Sequence, residues 1–467
     1  MTKLVPATRR RPPGEPGFDA LLPLTRRQLM VRSAVAMAGA TASGALWAPS
    51  AGAQVALPGP EQVSGRLATS WFDLSLDLVR TTPGYSPPVA SRSFAYAGLT
   101  LFAAVAPGLS GFRAPAGPLA GVAGLAPTDR RVAFDWPTVA NAALARILHL
   151  LFSTAPPEQL AAVDALEERH ARAARRSLPS DVFDRSVRSG RELAGLIFEW
   201  SRGDGGHEGY LRNFPPYNPP TGPDTWVPTP PGFQPALQPY WGSNRTFVLR
   251  SGADCPPGDH PLYSEAEGST FYAEAFEVYR TVNNLTPEQE AIARFWSDDP
   301  GLTPTPPGHS ISIATQVLQR ERSTLATAAE TYARVGVALS DAFVSCWYYK
   351  YLYNLLRPVT YIRRRIDSDW LPLLVTPPFP EYTSGHSAQS AAAAQVLTDL
   401  FGDGYAFVDH THDDRGLPPR RFRSFFAAAA EAAISRLYGG IHYRAAIENG
   451  MEQGKCVGQA VSAVQYR

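Results

Sequence analysis

The chain has 467 residues, and its 43 lysines and arginines nearly balance its 42 aspartates and glutamates, for a formal net charge of +1. Residues 1–32 hold seven basic and two acidic side chains and residues 33–53 hold no charged ones, so residues 54–467 carry 36 basic and 40 acidic side chains, a charge of −4. An acidic body argues against nucleic acid as a partner, because phosphate backbones bind basic surfaces.

The N-terminus carries the pattern of a twin-arginine export signal over residues 1–53. Thr25-Arg26-Arg27-Gln28-Leu29 precedes an apolar stretch at 35–47, and Ala51-Gly52-Ala53 follows as a small-residue cleavage pattern. The apolar stretch is too short for a bilayer, so we expect no integral membrane span and a periplasmic or secreted mature protein. The alternative interpretation is a disordered basic tail.

Helical periodicity dominates the remainder, without the sustained alternation that predicts a half-buried sheet. We predict an all-α fold of two packed helical bundles with the functional site in the C-terminal one. The expected regions are an N-terminal helical region (54–213), a Pro-rich connecting loop (214–268) and a catalytic helical domain (269–467). The predicted helices are 63–81, 88–106, 137–153, 157–177, 181–202, 269–283, 286–297, 310–356, 386–401, 418–438 and 442–463.

The stretch 214–241 has ten prolines and six aromatic residues. Proline forbids a regular helix there, and pure disorder would carry fewer aromatics. We predict an ordered, extended loop on the helical body. The preferred interpretation is a crossover between bundles without chemistry, and the alternative is a wall of the active site.

Three cysteines, Cys255, Cys346 and Cys456, fit no zinc spacing. Cys346 and Cys456 lie in helical patterns, where small buried hydrophobic side chains are the expected role. Cys255 lies in a Gly/Pro-rich loop, and whether two of the three form a disulfide stays open.

The first chemical segment is Lys350-x6-Arg357-Pro358 on an apolar, aromatic helix. Seven residues are about two turns, so both cations are predicted to share a face, about 10 Å apart along the axis. Pro358 is expected to end or kink this helix. Solvent-exposed cations on one face are the alternative interpretation.

The second segment, Ser384-Gly385-His386, precedes an Ala-rich helix. Ser384 is a candidate N-cap, and Gly385 lets the backbone approach an anion closely at a positive helix end. His386 would point toward that anion.

In the third segment, Arg436 lies in the last turn of one helix, Gly439-Gly440 predicts its end, and His442 begins the next helix. The alternative roles are neutralisation of the helix dipole by Arg436 and a structural His442. Taken together, three cations, a hydroxyl, a helix start and two imidazoles suit a tetrahedral oxyanion such as phosphate or vanadate.

The order of these segments resembles that of the vanadium-dependent haloperoxidases and the type 2 phosphatidic acid phosphatases, whose pattern is K-x6-R-P, P-S-G-H and S-R-x5-H. Thr383 replaces the usual proline here. The phosphatases also have an aspartate four residues after the last histidine, where this chain has Ala446, with Glu448 as a candidate substitute.

Further resemblance favours the haloperoxidase branch. Trp347 and Phe379 match aromatic positions beside the halide in chloroperoxidase-like members. The segment Phe295–Asp299 resembles one whose aspartate pairs with a pocket arginine, which makes Asp299 the expected partner of Arg436.

The resemblance implies an exported haloperoxidase that uses vanadate, with phosphate as the alternative occupant, and that takes hydrogen peroxide, halide and a small organic substrate; a homo-oligomer stays open. It implies that His442 is the vanadium ligand, that His386 is the acid–base, and that Lys350 polarises bound peroxide. The dry aromatic wall of Trp347 and Phe379 is expected to permit oxidation of chloride as well as bromide. The cofactor-binding residues are Lys350, Arg357, Ser384, Gly385, Arg436 and His442. The alternatives are an acid phosphatase with a phosphohistidine at His442, and a non-enzymatic exported anion-binding protein.

Overall fold

The computed structural model describes residues 57–111 and 132–466, and the predicted export signal lies outside them. Within this part of the chain, thirteen α-helices and one small hairpin confirm the all-α prediction. The helices are α1 Arg66–Thr81, α2 Pro87–Val105, α3 Trp136–Leu151, α4 Pro157–Ser177, α5 Ser180–Ser201, α6 Thr270–Asn283, α7 Pro287–Phe295, α8 Thr305–Arg320, α9 Leu325–Tyr353, α10 Pro358–Arg365, α11 Gly385–Phe401, α12 Phe425–Tyr438 and α13 Arg444–Ser462.

The core is built around the crossing of α2 and α9, both almost entirely buried. A side chain at Gly98 would lie 2.4 Å from the Tyr332 carbonyl, and one at Gly336 would lie 2.8 Å from that of Phe94. The two glycines therefore let the helix backbones touch. The segment Pro87–Gly108 has the length and hydropathy of a membrane span, but it is wholly buried inside the protein, as expected of a core helix.

The predicted helix 310–356 is wrong in that it is interrupted and ends early. Helix α8 stops at Arg320, and Arg322 adopts the left-handed conformation with φ of 50°. The Thr324 hydroxyl then caps α9 by accepting the Thr327 N–H at 3.2 Å. A hydroxyl N-cap can begin a new helix in this way. The sequence analysis missed the break because the helical spacing of apolar residues continues across it.

Arg357 does not lie on the same helix as Lys350, which corrects the shared-face prediction. Helix α9 ends at Tyr353, and Asn354 leaves it with φ of 49°. The exit is fixed by the Pro-rich loop, because the Trp226 N–H donates to the Asn354 carbonyl at 2.6 Å and the Leu356 N–H donates to the Asp224 carbonyl at 2.8 Å. Pro358 is the first residue of α10, a helix that the sequence analysis missed.

The predicted helix 418–438 begins later than expected. Strand β1, Phe407–Asp409, pairs antiparallel with strand β2, Arg420–Phe422. Helix α12 then starts at Phe425 under the Ser424 cap, whose hydroxyl accepts the Ala427 N–H at 3.0 Å. Three residues are too few for an alternating pattern to be visible in the sequence.

Cys255 and Cys456 form a disulfide that joins the loop before α6 to α13 across 201 residues. The expectation that Cys456 is a buried hydrophobic residue is therefore wrong, since it lies on the exposed side of α13. Cys346 is buried and free, as expected.

Candidate active site

Lys350 lies in the last turn of α9 and is fully buried. Its ammonium group donates to the carbonyls of Pro380 and Glu381, at 3.0 and 2.9 Å. Burial lowers the pKa of Lys350 to about 7. The segment before α11 therefore fixes the position of this cation, while burial makes its charge costly without an anion nearby.

Arg357 occupies the N-cap position of α10 and is also fully buried. Its Nε donates to the Phe379 carbonyl at 2.8 Å, and its Nη1 donates to the Ile441 carbonyl at 2.8 Å and reaches Nε2 of His442 at 3.1 Å. Burial lowers the pKa of Arg357 to about 10. This guanidinium thus joins the second and third chemical segments.

Ser384, Gly385 and His386 begin α11, as predicted. The Ser384 hydroxyl accepts the Ser387 N–H at 3.3 Å. A side chain at Gly385 would meet only the Trp347 ring, at 3.6 Å, so no protein group requires a glycine there. An anion that sits close to the helix N-terminus would require one.

Arg436 lies in the last turn of α12, and its Nη1 donates to Nε2 of His386 at 2.8 Å and to the Trp296 carbonyl at 2.5 Å. Since arginine only donates, Nε2 of His386 is unprotonated. Burial, reinforced by the charge of Arg436, holds the pKa of His386 well below its usual value. His386 is therefore a neutral base in the pocket.

Asp299 does not pair directly with Arg436, which corrects the expected contact. Asp299 is exposed, and the hydrogen bonds of Arg436 go to Trp296 and His386 instead. Burial lowers the pKa of Arg436, whereas the charge of Asp298 and then that of Asp299 still act to raise it. The buried neighbour is Asp298, whose oxygens contact His309 and His412. Adjacent aspartates cannot be told apart by sequence, because the turn geometry decides which one points inward.

The sequence analysis missed Glu381 as a functional residue. Its Oε1 accepts both Nδ1–H of His442, at 2.8 Å, and the Tyr443 N–H, at 2.9 Å. Glu448, the candidate substitute for the missing aspartate, is instead exposed beside Arg444 at 3.5 Å. The sequence feature that could have identified Glu381 is its position as the one charged residue in the aromatic segment Phe379–Tyr382.

Glu381 determines which nitrogen of His442 faces the cations. Burial raises the pKa of Glu381 to about 8, but Arg357 can only donate to Nε2 of His442. The ring proton therefore lies on Nδ1, where Oε1 of Glu381 accepts it. Burial, followed by the charges of Arg357, Lys350 and Arg436, holds the pKa of His442 well below its usual value. The imidazole is therefore neutral, and its Nε2 lone pair accepts a hydrogen bond from Arg357 in the absence of an anion.

The donor set fits a tetrahedral oxyanion. Lys350, Arg357 and Arg436 are buried cations, and Glu381 is the carboxylate hydrogen-bonded among them. Nη2 of Arg357 and Nε of Arg436 are buried without a partner in the described part of the chain. An unpaired buried donor costs about 1–3 kcal/mol. An anion with several acceptor oxygens, such as vanadate, would satisfy these donors and balance the charge.

A cavity of about 870 Å³ adjoins these groups, and Gly385, His386, Arg436 and His442 are among the residues that line it. Trp347 and Phe379 form one wall, with ring centroids 4.9 Å apart. The Lys350 ammonium lies 5.1 Å from the Phe379 centroid and 5.8 Å from that of Trp347. The two predicted halide-side aromatics therefore adjoin the cations.

The Pro-rich loop also lines this cavity, through Phe214, Gln234 and Leu237. The Leu237 carbonyl accepts the Trp347 indole N–H at 3.3 Å and the Tyr351 hydroxyl at 2.6 Å. The loop therefore supports the aromatic wall, which favours the alternative interpretation, a wall of the site, over a crossover without chemistry.

The family model for the VCPO second helical-bundle domain matches residues 330–467. A solved structure described as the first bacterial vanadium-dependent iodoperoxidase is 37% identical, with a TM-score of 0.76, and the match covers 85% of this chain and 96% of that one. Holo-type and apo-type bacterial vanadium-dependent chloroperoxidases share the fold at 18% and 16% identity, with TM-scores of 0.62 and 0.58. These matches cover 82% and 88% of this chain, and 93% and 95% of theirs. No curated protein sequence matches the chain significantly.

Proposed function

The chain belongs to the vanadium-dependent haloperoxidases and takes vanadate as its cofactor, and from this premise we propose which of its residues hold the cofactor and perform the reaction. His442 is the vanadium ligand through Nε2. Lys350, Arg357, Ser384, Gly385 and Arg436 bind the vanadate oxygens. His386 is the acid–base, and hydrogen peroxide and a halide are the substrates.

When bound, vanadate supplies a Lewis acid that activates hydrogen peroxide for attack by a halide. The protein supplies fixed charge and proton transfer. Neutral His386 can accept a proton from an incoming peroxide at its unprotonated Nε2 when that nitrogen gives up its hydrogen bond from Arg436. The low pKa of His386, set by burial and Arg436, then favours rapid return of the proton. Lys350 is held by two carbonyls, so its charge is directed without side-chain rearrangement.

The observation that carries this proposal is the unprotonated Nε2 of His442 beside Arg357, together with two buried donors, Nη2 of Arg357 and Nε of Arg436, that lack protein partners. A ligand bond from a neutral imidazole and hydrogen bonds from guanidinium groups are the interactions that vanadate requires. Phosphate shares the tetrahedral shape and charge, so it should compete for the same donors.

The test is His442→Ala, with the partly exposed His149, which pairs with Asp164, replaced by alanine as the control. We expect His442→Ala to lose vanadate and peroxide-dependent halogenation, while His149→Ala retains both and phosphate inhibits reconstitution of apo-protein. Full halogenation by His442→Ala would refute the ligand assignment. Hydrolysis of phosphate esters without any halogenation would favour the phosphatase alternative.

For the halide, the proposal is oxidation of chloride as well as bromide at the Trp347–Phe379 wall. The 37%-identical relative is described as an iodoperoxidase, so iodide belongs in the same assay. Iodide activity alone would contradict the chloride proposal.

We further propose that the protein is exported by the twin-arginine pathway. The Cys255–Cys456 disulfide supports this, because such bonds persist in oxidising compartments. Replacement of Arg26 and Arg27 by lysines should retain the protein in the cytoplasm. Unchanged export of that variant would contradict the proposal.

A further inference from the structure

Behind the Arg436 side of the pocket lies a second buried cluster of histidines and carboxylates. Asp298, His309 and His412 each present one ligand-type atom, and these atoms lie within 4.8 Å of one another. The three residues are 2%, 1% and 1% exposed. None of them has a place in the proposed binding of vanadate or in proton transfer by His386.

The three side chains converge from different parts of the chain. Asp298 follows α7, His309 lies in the first turns of α8, and His412 follows β1. Nδ1 of His309 lies 3.0 Å from Oδ2 of Asp298, and Nε2 of His412 lies 3.2 Å from its Oδ1. The two imidazole rings are 4.9 Å apart and nearly perpendicular, so their nitrogens approach one shared region.

A second carboxylate orients His309 from behind. Oδ2 of Asp409 lies 2.8 Å from Nε2 of His309. The other oxygen of Asp409 accepts from Thr411 N–H and Oγ1–H and from Gln316. Asp409 is therefore fixed, and a proton on Nε2 of His309 leaves Nδ1 available as a lone-pair donor. A carboxylate behind a ligating histidine is the usual support of a metal-bound imidazole.

We propose that Asp298, His309 and His412 form a binding site for a divalent first-row transition metal ion, with zinc as the expected occupant. Two imidazoles and one carboxylate are a ligand set that zinc accepts, with water in the fourth position. For ligand bonds of about 2.0–2.1 Å, the corners of a tetrahedron lie about 3.3–3.4 Å apart. Oδ1 of Asp298 lies 3.2 Å from Nδ1 of His309 and 3.2 Å from Nε2 of His412, which is close to this spacing.

His412 provides an independent observation. Its Nε2 is buried and makes no hydrogen bond, even though an oxygen of Asp298 lies 3.2 Å away. The nitrogen is therefore close to the carboxylate but not directed at it as a donor. A metal ion between the nitrogen and the oxygen would use that lone pair, and a water from the cavity could complete the site, since Asp298 lines the cavity.

The competing state is a metal-free network in which His309 is an imidazolium between two aspartates. In that state burial lowers the pKa of His309, but Asp298 and Asp409 outweigh it and raise the pKa to about 10. This network leaves Nε2 of His412 without a partner and a net negative charge on two buried carboxylates. A divalent ion in place of the proton would correct both.

The proposed metal would also hold the arginine side of the pocket in position. The ring of Trp296 stacks on His309 with centroids 4.3 Å apart, and its carbonyl accepts from Arg436. A metal at Asp298 and His309 would fix this segment, and through it the guanidinium that contacts His386. Its role is one of positioning, separate from the reacting atoms.

The test uses the full chain and measures metal content. Wild-type protein, dialysed against a chelator and reloaded with Zn²⁺, should retain about one zinc per chain, and Zn²⁺ should raise its Tm. Co²⁺ in place of zinc should give the intense visible bands of a four-coordinate site. His412→Ala should lose the bound zinc and the Co²⁺ spectrum, whereas His410→Ala should keep them, because His410 is half-exposed and pairs with Asp413 instead.

His442→Ala separates this proposal from the vanadate site, since it should lose vanadium and retain zinc. Absence of Zn²⁺ and Co²⁺ binding by the wild type would overturn the proposal and favour the metal-free network. Equal zinc in wild type and His412→Ala, or zinc lost with His442 rather than with His412, would also overturn it. The wild-type Co²⁺ spectrum decides the question even if His412→Ala does not fold.

Discussion

The Nδ1 atom of His442 lies 2.8 Å from Oε1 of Glu381, and both side chains are buried. The same carboxylate oxygen holds the Tyr443 N–H, so it fixes the ring and the turn before α13 together. Glu381 in turn sits in the segment whose carbonyls bind Lys350. One short segment therefore positions the imidazole and a cation of the candidate cofactor site.

Replacement of Glu381 by glutamine should weaken vanadate binding by about 10–100-fold, the typical cost of removing a partner behind a metal ligand. The amide can present its NH₂ to Nδ1 and favour the wrong tautomer. The measurement is halogenation rate against vanadate concentration. Glu448→Gln is the control, because that carboxylate is exposed on α13. Equal vanadate affinity in both variants would show that Glu381 does not set the tautomer.

Vanadate affinity should fall as pH rises from about 6 to about 9, because the pKa of Lys350 in the vanadate-free protein is lowered to about 7, chiefly by burial. Below that pH the ammonium is charged and attracts the anion, and above it binding requires uptake of a proton. The unfolded chain keeps the lysine protonated to about pH 10.4, so between these values it binds more protons than the folded protein. Titration of Lys350 therefore increases the free energy of unfolding, and so stabilises the folded protein, as pH rises from about 7 to about 10.4.

Lys350→Met is the control for this pH dependence, since vanadate itself titrates in the same range. The variant should bind vanadate more weakly at low pH and show a shallower decline. The measurement is the vanadate Kd at several pH values for both proteins. Parallel curves would mean that Lys350 does not titrate in this window.

Sequence predicted the helices and the three chemical segments because both are local. The N-cap by Ser384 and the helix end at Gly439–Gly440 depend on a few neighbouring residues, and the structure has both. The relation of Lys350 to Arg357 was wrong because backbone hydrogen bonds from residues 224–226 end α9 early. The spacing of residues along one helix cannot predict hydrogen bonds between segments that lie more than 100 residues apart in the chain.

The parts of the site that sequence did not predict also depend on tertiary contacts. Glu381 acquires its role only when the turn at His442 packs against it. Asp298 rather than Asp299 is buried, in a segment where Asp298 has a left-handed φ of 50°. The Pro-rich loop is held beside the site by the Leu237 carbonyl, which accepts a hydrogen bond from the Trp347 indole N–H. Each case requires a distance between segments that no periodicity encodes.

Cys255→Ser should lower the free energy of unfolding by about 2–5 kcal/mol, the usual cost of losing a native disulfide. Thermal unfolding with and without reductant measures the effect. Reductant should lower the Tm of wild type and of Cys346→Ala, because both keep the Cys255–Cys456 bond. It should leave the Tm of Cys255→Ser unchanged. A wild-type Tm that is insensitive to reductant under unfolding conditions would argue against the bond.

Phe379→His should shift halide preference from chloride toward bromide. The Phe379 ring lies 5.1 Å from the Lys350 ammonium and 4.9 Å from the Arg357 guanidinium carbon, so it keeps water away from both charges. Electrostatic interactions weaken as the local dielectric rises, and a hydrated imidazole would raise it. Chloride is harder to oxidise than bromide, so chloride oxidation depends more on the full electric field of Lys350 and Arg357. We expect the chloride-to-bromide ratio of initial rates to fall about tenfold, equivalent to about 1.4 kcal/mol.

Phe276→His, on the exposed face of α6, makes the same substitution outside the residues that line the cavity and should keep the wild-type ratio. Monochlorodimedone halogenation with each halide, at saturating vanadate and at acidic and neutral pH, measures both variants. Saturating vanadate ensures that a fall in the ratio reports halide oxidation rather than lost cofactor. An unchanged ratio in Phe379→His would place halide selection elsewhere in the cavity, and absence of chloride activity in the wild type would refute the proposed halide range.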